Sequence, residues 1–248
     1  MMEESIDLQK INSTLKVKNS QQKAVVISWL VALVGAVLAV LTFTDGSPLY
    51  RAHAVTLISI FVALGGLIIA LILGSRAKKM QTLISGERVV ASWLLTPQEK
   101  AAYVDFLFQH EKEKNKAILW ITTVLIVVVF GIFIIVIDEG KGVMLLVMIA
   151  LIGIIAAFAL GMPAYYRAKN LKGDGVVLLG RKFAYINGFF HNWDFPLSGI
   201  RKVKAIETPF HGLYIRYYYF DRTLKNTEEL HIPASPDMDL KKIVTLLK

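Results

Sequence analysis

Cysteine is absent from all 248 residues, which removes disulfides, thiolate metal sites and cysteine nucleophiles together. Charge is missing as well in four runs, 24–43, 54–74, 117–137 and 143–162, none of which holds an Asp, Glu, Lys, Arg or His. Ion paths and proton relays through a bilayer are built from such groups, so these runs lack the usual parts of a transport route. Catalytic motifs are missing too. There is no GxxxxGK loop to cradle phosphate, no GxSxG elbow and no HExxH pair, and the glycines of GDGVVLLG (173–180) do not follow dinucleotide spacing.

What remains is a pattern of membrane spans. The runs are 20 or 21 residues long, against about 20 needed to cross about 30 Å of hydrocarbon. Mean hydropathy is +0.53 and 55% of residues are hydrophobic, high for a soluble chain. Of 28 Lys and Arg residues, 26 fall in alternate segments (1–23, 75–116 and 163–248), and only Arg51 and Lys141 fall in the other two. Basic residues accumulate on the cytoplasmic side, so both termini are expected there, in a multi-pass inner-membrane protein. The net charge of +9 is then a topology signal and not a nucleic-acid footprint, since no nucleic-acid-binding module is recognisable. The 23-residue polar lead is mixed in charge and its apolar run exceeds an h-region, so the first span reads as a retained anchor. Residues 6–18 are read as a short helix near the membrane or as a disordered lead.

The expected fold class is therefore membrane α-helical. Two transmembrane hairpins (24–74 and 117–162) flank a cytoplasmic loop (75–116) and precede a cytoplasmic α+β domain (163–248), an antiparallel sheet or partial barrel with a terminal helix. Small residues recur at intervals of four in the second span (Gly66, Ala70, Gly74) and the fourth (Gly153, Ala157, Gly161), which makes these two spans candidate packing partners. The third span, with Gly131 as its only glycine, suits lipid exposure. The outer loops, 44–53 and 138–142, are too short for a ligand-binding domain. Asp45, Arg51 and His53 read as interfacial loop residues, with Pro48 setting a turn.

In the inner loop, 88–95 reads as an apolar strand. Thr96 with Glu99 forms a capping box with Pro97 at the first helical position, opening a helix through Tyr103, Phe106 and His110 that can merge with the third span. The charged stretch from Glu111 to Lys116 reads as a solvated helix face. The terminal domain offers six strands: 176–179, 183–186, 189–193, 200–207, 212–220 and 228–232. Asn187-Gly188 is a strong hairpin signal because both residues tolerate positive φ. Ser235 as cap and Pro236 as first residue are expected to open a helix to Lys248 with Leu240, Ile243, Val244 and Leu247 on one face.

The segments GRKFAYINGFFHNWDFPLSGIRKV, YIRYYYF and ELHIPAS, closed by that helix, resemble the pleckstrin-homology-like domains of small uncharacterised bacterial membrane proteins. The resemblance implies seven strands and a helix, and binding of lipid, peptide or protein without chemistry. Only six strands lie in the terminal third, so the strand near 89–94 is expected to supply the seventh.

Candidate contacts to anionic headgroups or a protein partner are Arg181 and Lys182 at the first hairpin turn, and Arg201, Lys202 and Lys204 after Gly199. Alternation across the strand puts Tyr217 and Tyr219 on one face and Tyr218 and Phe220 on the other, with Tyr218 a candidate for stacking on a partner. His191, His211 and His231 have no ligand-type spacing and read as turn or strand residues. Ser28, Thr56, Ser59, Thr122 and Thr123 in the spans lack an embedded base. No catalytic residue, metal or cofactor is expected. The sequence points to a non-catalytic anchored interaction or sensor module, with a transporter or channel subunit as the alternative.

Overall fold

The computed structural model describes residues 17–221 and 224–247. The expected lead helix at 6–18 therefore lies outside the described residues except for its last two positions. Helices α1 (Ser20–Leu41) and α2 (His53–Ile84) form one packed pair, and α3 (Pro97–Val136) and α4 (Lys141–Leu171) form a second. All four are long and apolar enough to cross a membrane. Three of them outrun their apolar stretches. α2 continues through 75–84, α4 through 163–171, and α3 starts at Pro97 and runs unbroken for 40 residues, about 60 Å at 1.5 Å per residue. Its start is the expected capping box: Glu99 N–H donates to Thr96 Oγ1 at 3.2 Å, and Thr96 N–H donates to Glu99 Oε2 at 2.8 Å.

Close packing of the small residues occurs inside the first pair. A Cβ on Gly66 would sit 2.8 Å from the Ala32 nitrogen, and one on Gly35 would sit 2.7 Å from the Ala63 nitrogen, so the α1 and α2 backbones touch where side chains are absent. Thr56 donates to Thr42 Oγ1 at 2.8 Å near the connection. The expected pairing of the second span with the fourth is thus corrected at Gly66, whose neighbour is Ala32 on α1. Ala70 is buried, whereas Gly74, Gly153 and Gly161 have no atom in reach of an added Cβ, and Ala157 is exposed. Spacing of four marks a face, and it does not say which helix that face meets.

Seven strands follow the order of the chain. β1 (Val89–Leu94), β2 (Val176–Gly180), β3 (Phe183–Ile186) and β4 (Phe189–Asn192) form one antiparallel sheet, and β5 (Gly199–Ile206), β6 (Gly212–Asp221) and β7 (Leu224–Pro233) form another. Among the described residues there is no closed barrel. The inner-loop strand joins as expected, with Ser92 opposite Leu178 and Leu94 opposite Val176. Consequently α3 and α4 lie between two adjacent strands of one sheet, in the place of a hairpin turn. β2 and β3 are buried at every position, which explains their unbroken apolar sequence. Their alternate residues serve two cores. Val177, Leu179, Ala184 and Ile186 face the second sheet, while Val176, Leu178, Phe183 and Tyr185 face Met80 and Leu83 at the end of α2.

The terminal helix, α5 (Leu240–Leu247), closes the inter-sheet core with Leu240, Ile243 and Leu247. It begins later than expected. Ser235 and Pro236 form a turn, and the cap is Asp239, whose Oδ1 accepts from Lys242 N–H at 3.0 Å. Asp and Ser cap about equally well, so the packing of Leu240 in the inter-sheet core sets the start at Asp239.

The Asn187-Gly188 turn has φ values of 49° and 95°. Asn187 is fully buried: its Oδ1 accepts from Gly175 N–H at 3.0 Å and its Nδ2 donates to the Asn170 carbonyl at 2.8 Å. The side chain therefore fastens the end of α4 to the start of β2. Gly173 has to be glycine, because a Cβ there would collide with Asn187 Oδ1. Asn187→Ala should lower stability by about 2 to 4 kcal/mol by orphaning two buried backbone groups. Asn187→Gly, which keeps the turn geometry, should recover only the backbone part. Denaturant unfolding of the full chain in mild detergent measures both.

Candidate functional site

β4 is an outer strand of its sheet, and its free side is not covered by another strand. Arg76, from the first turn of α2 beyond the apolar run, covers part of it. Its Nη2 donates to the Phe190 carbonyl at 3.3 Å, and its guanidinium carbon lies 5.8 Å from the centre of the Phe190 ring. One turn on, Lys79 donates to the Asp194 carbonyl at 2.6 Å and pairs with Asp194 Oδ2 at 3.1 Å, while Lys182 pairs with Oδ1 at 2.8 Å. Hydrogen bonding from Lys182, reinforced by Lys79, holds the Asp194 carboxyl below its ordinary range. This trio pins α2 to the β2–β3 turn and to the loop after β4.

Between β4 and the inner face of β6 a groove of about 780 Å³ remains open. Phe190, His191 and Asn192 form one wall, Tyr217 and Tyr219 the other, and Arg76, Phe220, Glu228 and the loop 195–197 form the rim. Tyr217 stacks at 5.2 Å on Trp193 and at 6.3 Å on Tyr219, so the second wall is an aromatic ladder. Burial raises the Tyr217 hydroxyl far above its usual value, Glu228 adding to the shift and Arg76 opposing it. That tyrosine thus lies in the field of both rim charges. In the loop, Leu197 takes φ 59° with 76% of its surface exposed, a left-handed conformation that is costly for a branched side chain.

The polar groups of this groove are under-used. Arg76 Nε, His191 Nε2 and Asn192 Nδ2 are buried and have no hydrogen-bond partner, and Asn192 is only 8% exposed. Leaving such groups bare costs free energy, and all three of these residues line the one groove, which marks it as the candidate place for a polar ligand. Burial, with Arg76 beside it, lowers His191 to about 4, so the ring is neutral at neutral pH.

The residues singled out from the sequence lie elsewhere. Arg181 and the Asp194-bound Lys182 line a second hollow of about 520 Å³ with Arg88, Val90, Phe183 and Leu246. None of the unpartnered buried polar atoms found among the described residues belongs to it. Arg201, Lys202 and Lys204 are exposed along β5, with Lys204 Nζ 5.3 Å from the Tyr214 ring. Tyr218 is on the outer face of β6, with Lys225 Nζ 4.2 Å above its ring, and the inward pair is Tyr217 and Tyr219. His211 pairs with Glu207 at 2.9 Å, and His231 lies between Phe106 and Tyr214. Among the described residues no cluster of His, Asp or Glu is suited to a metal ion. Arg76 and Asn192 are not among the residues singled out from the sequence.

No family model matches the chain, and neither a curated protein nor a solved structure does.

His191 generates a pH prediction. The unfolded chain takes up a proton near the ordinary imidazole value of 6.5, whereas the folded ring resists until about 4. Between these values the unfolded state binds more protons, so stability is full above 6.5 and falls as pH drops, by up to about 1.4 kcal/mol per unit. Burial also lowers His231, which adds to the same slope. Unfolding measured from pH 7 to 4 should show the decline, and His191→Asn should flatten it in part.

Proposed function

We propose that the chain is a non-catalytic membrane-anchored interaction or sensor module. On this reading the four apolar helices cross a bacterial inner membrane, with both termini and the sheets on the cytoplasmic side. The seven strands and closing helix form a pleckstrin-homology-like domain that presents a binding surface to lipid, peptide or protein. The observation that carries the reading is that three residues with unpartnered buried polar groups, Arg76, His191 and Asn192, line the β4–β6 groove, while the helices hold no ionisable side chain in their apolar runs. Hydroxyls within those runs are used locally: Ser28 donates to the Ala24 carbonyl at 2.8 Å, and Thr56 bonds Thr42. The extended ends of α2 and α3, packed on the sheets, favour a fixed scaffold over a moving gate.

The lack of cysteine makes topology directly testable. Single cysteines at Asp45 or Glu139 should react with an impermeant maleimide from outside intact cells, and one at Lys202 only after permeabilisation. Reaction of the Lys202 position in intact cells would contradict the arrangement. Purified chain in liposomes should support no selective solute flux, and robust flux would favour a transporter or channel subunit instead.

A further inference from the structure

Among the described residues, the charged side chains that line the β4–β6 groove are Arg76 and Glu228, with Tyr217 in the field of both. Asn192 adds an unpartnered, nine-tenths buried amide donor on the Arg76 side, where Phe190 also lies. Glu228 accepts a long hydrogen bond, 3.5 Å, from Tyr219. Guanidinium and amide donors suit a phosphate, while a carboxylate beside aromatic rings suits an ammonium. Arg76 is two residues beyond the end of the charge-free apolar run of its helix, and Phe195, Leu197 and Phe220 expose apolar surface along the same rim.

We propose that the groove binds the zwitterionic headgroup of an aminophospholipid, with the phosphate at Arg76 and Asn192 and the primary ammonium at Glu228 and the tyrosine ladder. The occupant is a lipid and not a soluble phosphate ester, because Arg76 stands at headgroup depth if α2 crosses the bilayer, and the apolar rim continues the site towards the acyl chains. Glu228 discriminates against purely anionic headgroups, whose phosphate meets it without a compensating ammonium. The inference rests on the anchored-module reading and makes it specific.

The test titrates the delipidated full chain in a neutral detergent with short-chain dihexanoyl phosphatidylethanolamine, phosphatidylglycerol, phosphatidylcholine and soluble phosphoethanolamine, reading affinity and thermal midpoint. Phosphatidylethanolamine should bind about tenfold more tightly than phosphatidylglycerol or phosphatidylcholine. Arg76→Gln should weaken binding of the phosphatidylethanolamine about tenfold. Glu228→Gln, on an exposed position where folding is insensitive, should abolish the preference over phosphatidylglycerol. Arg181→Gln and Lys202→Gln, outside the groove, should change nothing. Equal binding of all three lipids, or a preference that survives Glu228→Gln, overturns the proposal. Equal affinity for soluble phosphoethanolamine overturns the lipid assignment. Carbonate extraction of native membranes separates the two levels: a chain released by carbonate refutes the anchored reading itself, while one retained without headgroup preference refutes only the groove assignment.

Discussion

The pairing of β1 with β2 is the contact on which the rest of the molecule depends. These strands are separated by the whole of α3 and α4, so their register forms only when the second helical pair returns the chain to where it left. Closing so long an excursion costs entropy, which the contact between α3 and α4 offsets by bringing the two ends of the excursion together. The sheet and the helices are therefore one construction. Asn187 enforces this at the return point, and the Thr96 capping box does so at the departure point.

From that pairing follows the burial pattern. With β1 in place, the first sheet has one face against the second sheet and the other against the end of α2. β1 itself is covered by α5, and β7 is tied to it through Trp93, whose indole nitrogen donates to the Pro233 carbonyl at 2.8 Å. β4 is left as the uncovered edge, and an edge strand invites unwanted pairing unless something blunts it. Arg76 takes the Phe190 carbonyl and the 195–197 loop crowds the end. The groove is what remains, and the donors left bare there are the cost of keeping it open.

Much of this architecture was legible in the sequence because its signals are local. The four apolar runs, the Thr96–Glu99 box, the Asn187-Gly188 turn and the alternation of Tyr217 to Phe220 each depend on residues within a few positions of one another. The missing seventh strand was legible by counting. Partnerships over long separations were not: Gly66 shows a small-residue face but not that Ala32 meets it, and Arg76 lies 114 positions from Phe190. Asn187 reads as a turn residue, since nothing nearby shows that its amide reaches Asn170. The terminal cap was misplaced because Ser235-Pro236 and Asp239 are both valid helix starts, and only the packing of Leu240 decides between them.

Cross-linking in this cysteine-free background reads out the pairing of β1 with β2. Ser92→Cys with Leu178→Cys places thiols on directly opposed residues of β1 and β2, whereas Ser92→Cys with Lys202→Cys places them in different sheets. After mild oxidation and cleavage at a protease site inserted between Asp138 and Gly142, the first pair should hold the two fragments together until reduced, and the second should release them. Release in both cases, or retention in both, would contradict a sheet closed around the second helical pair.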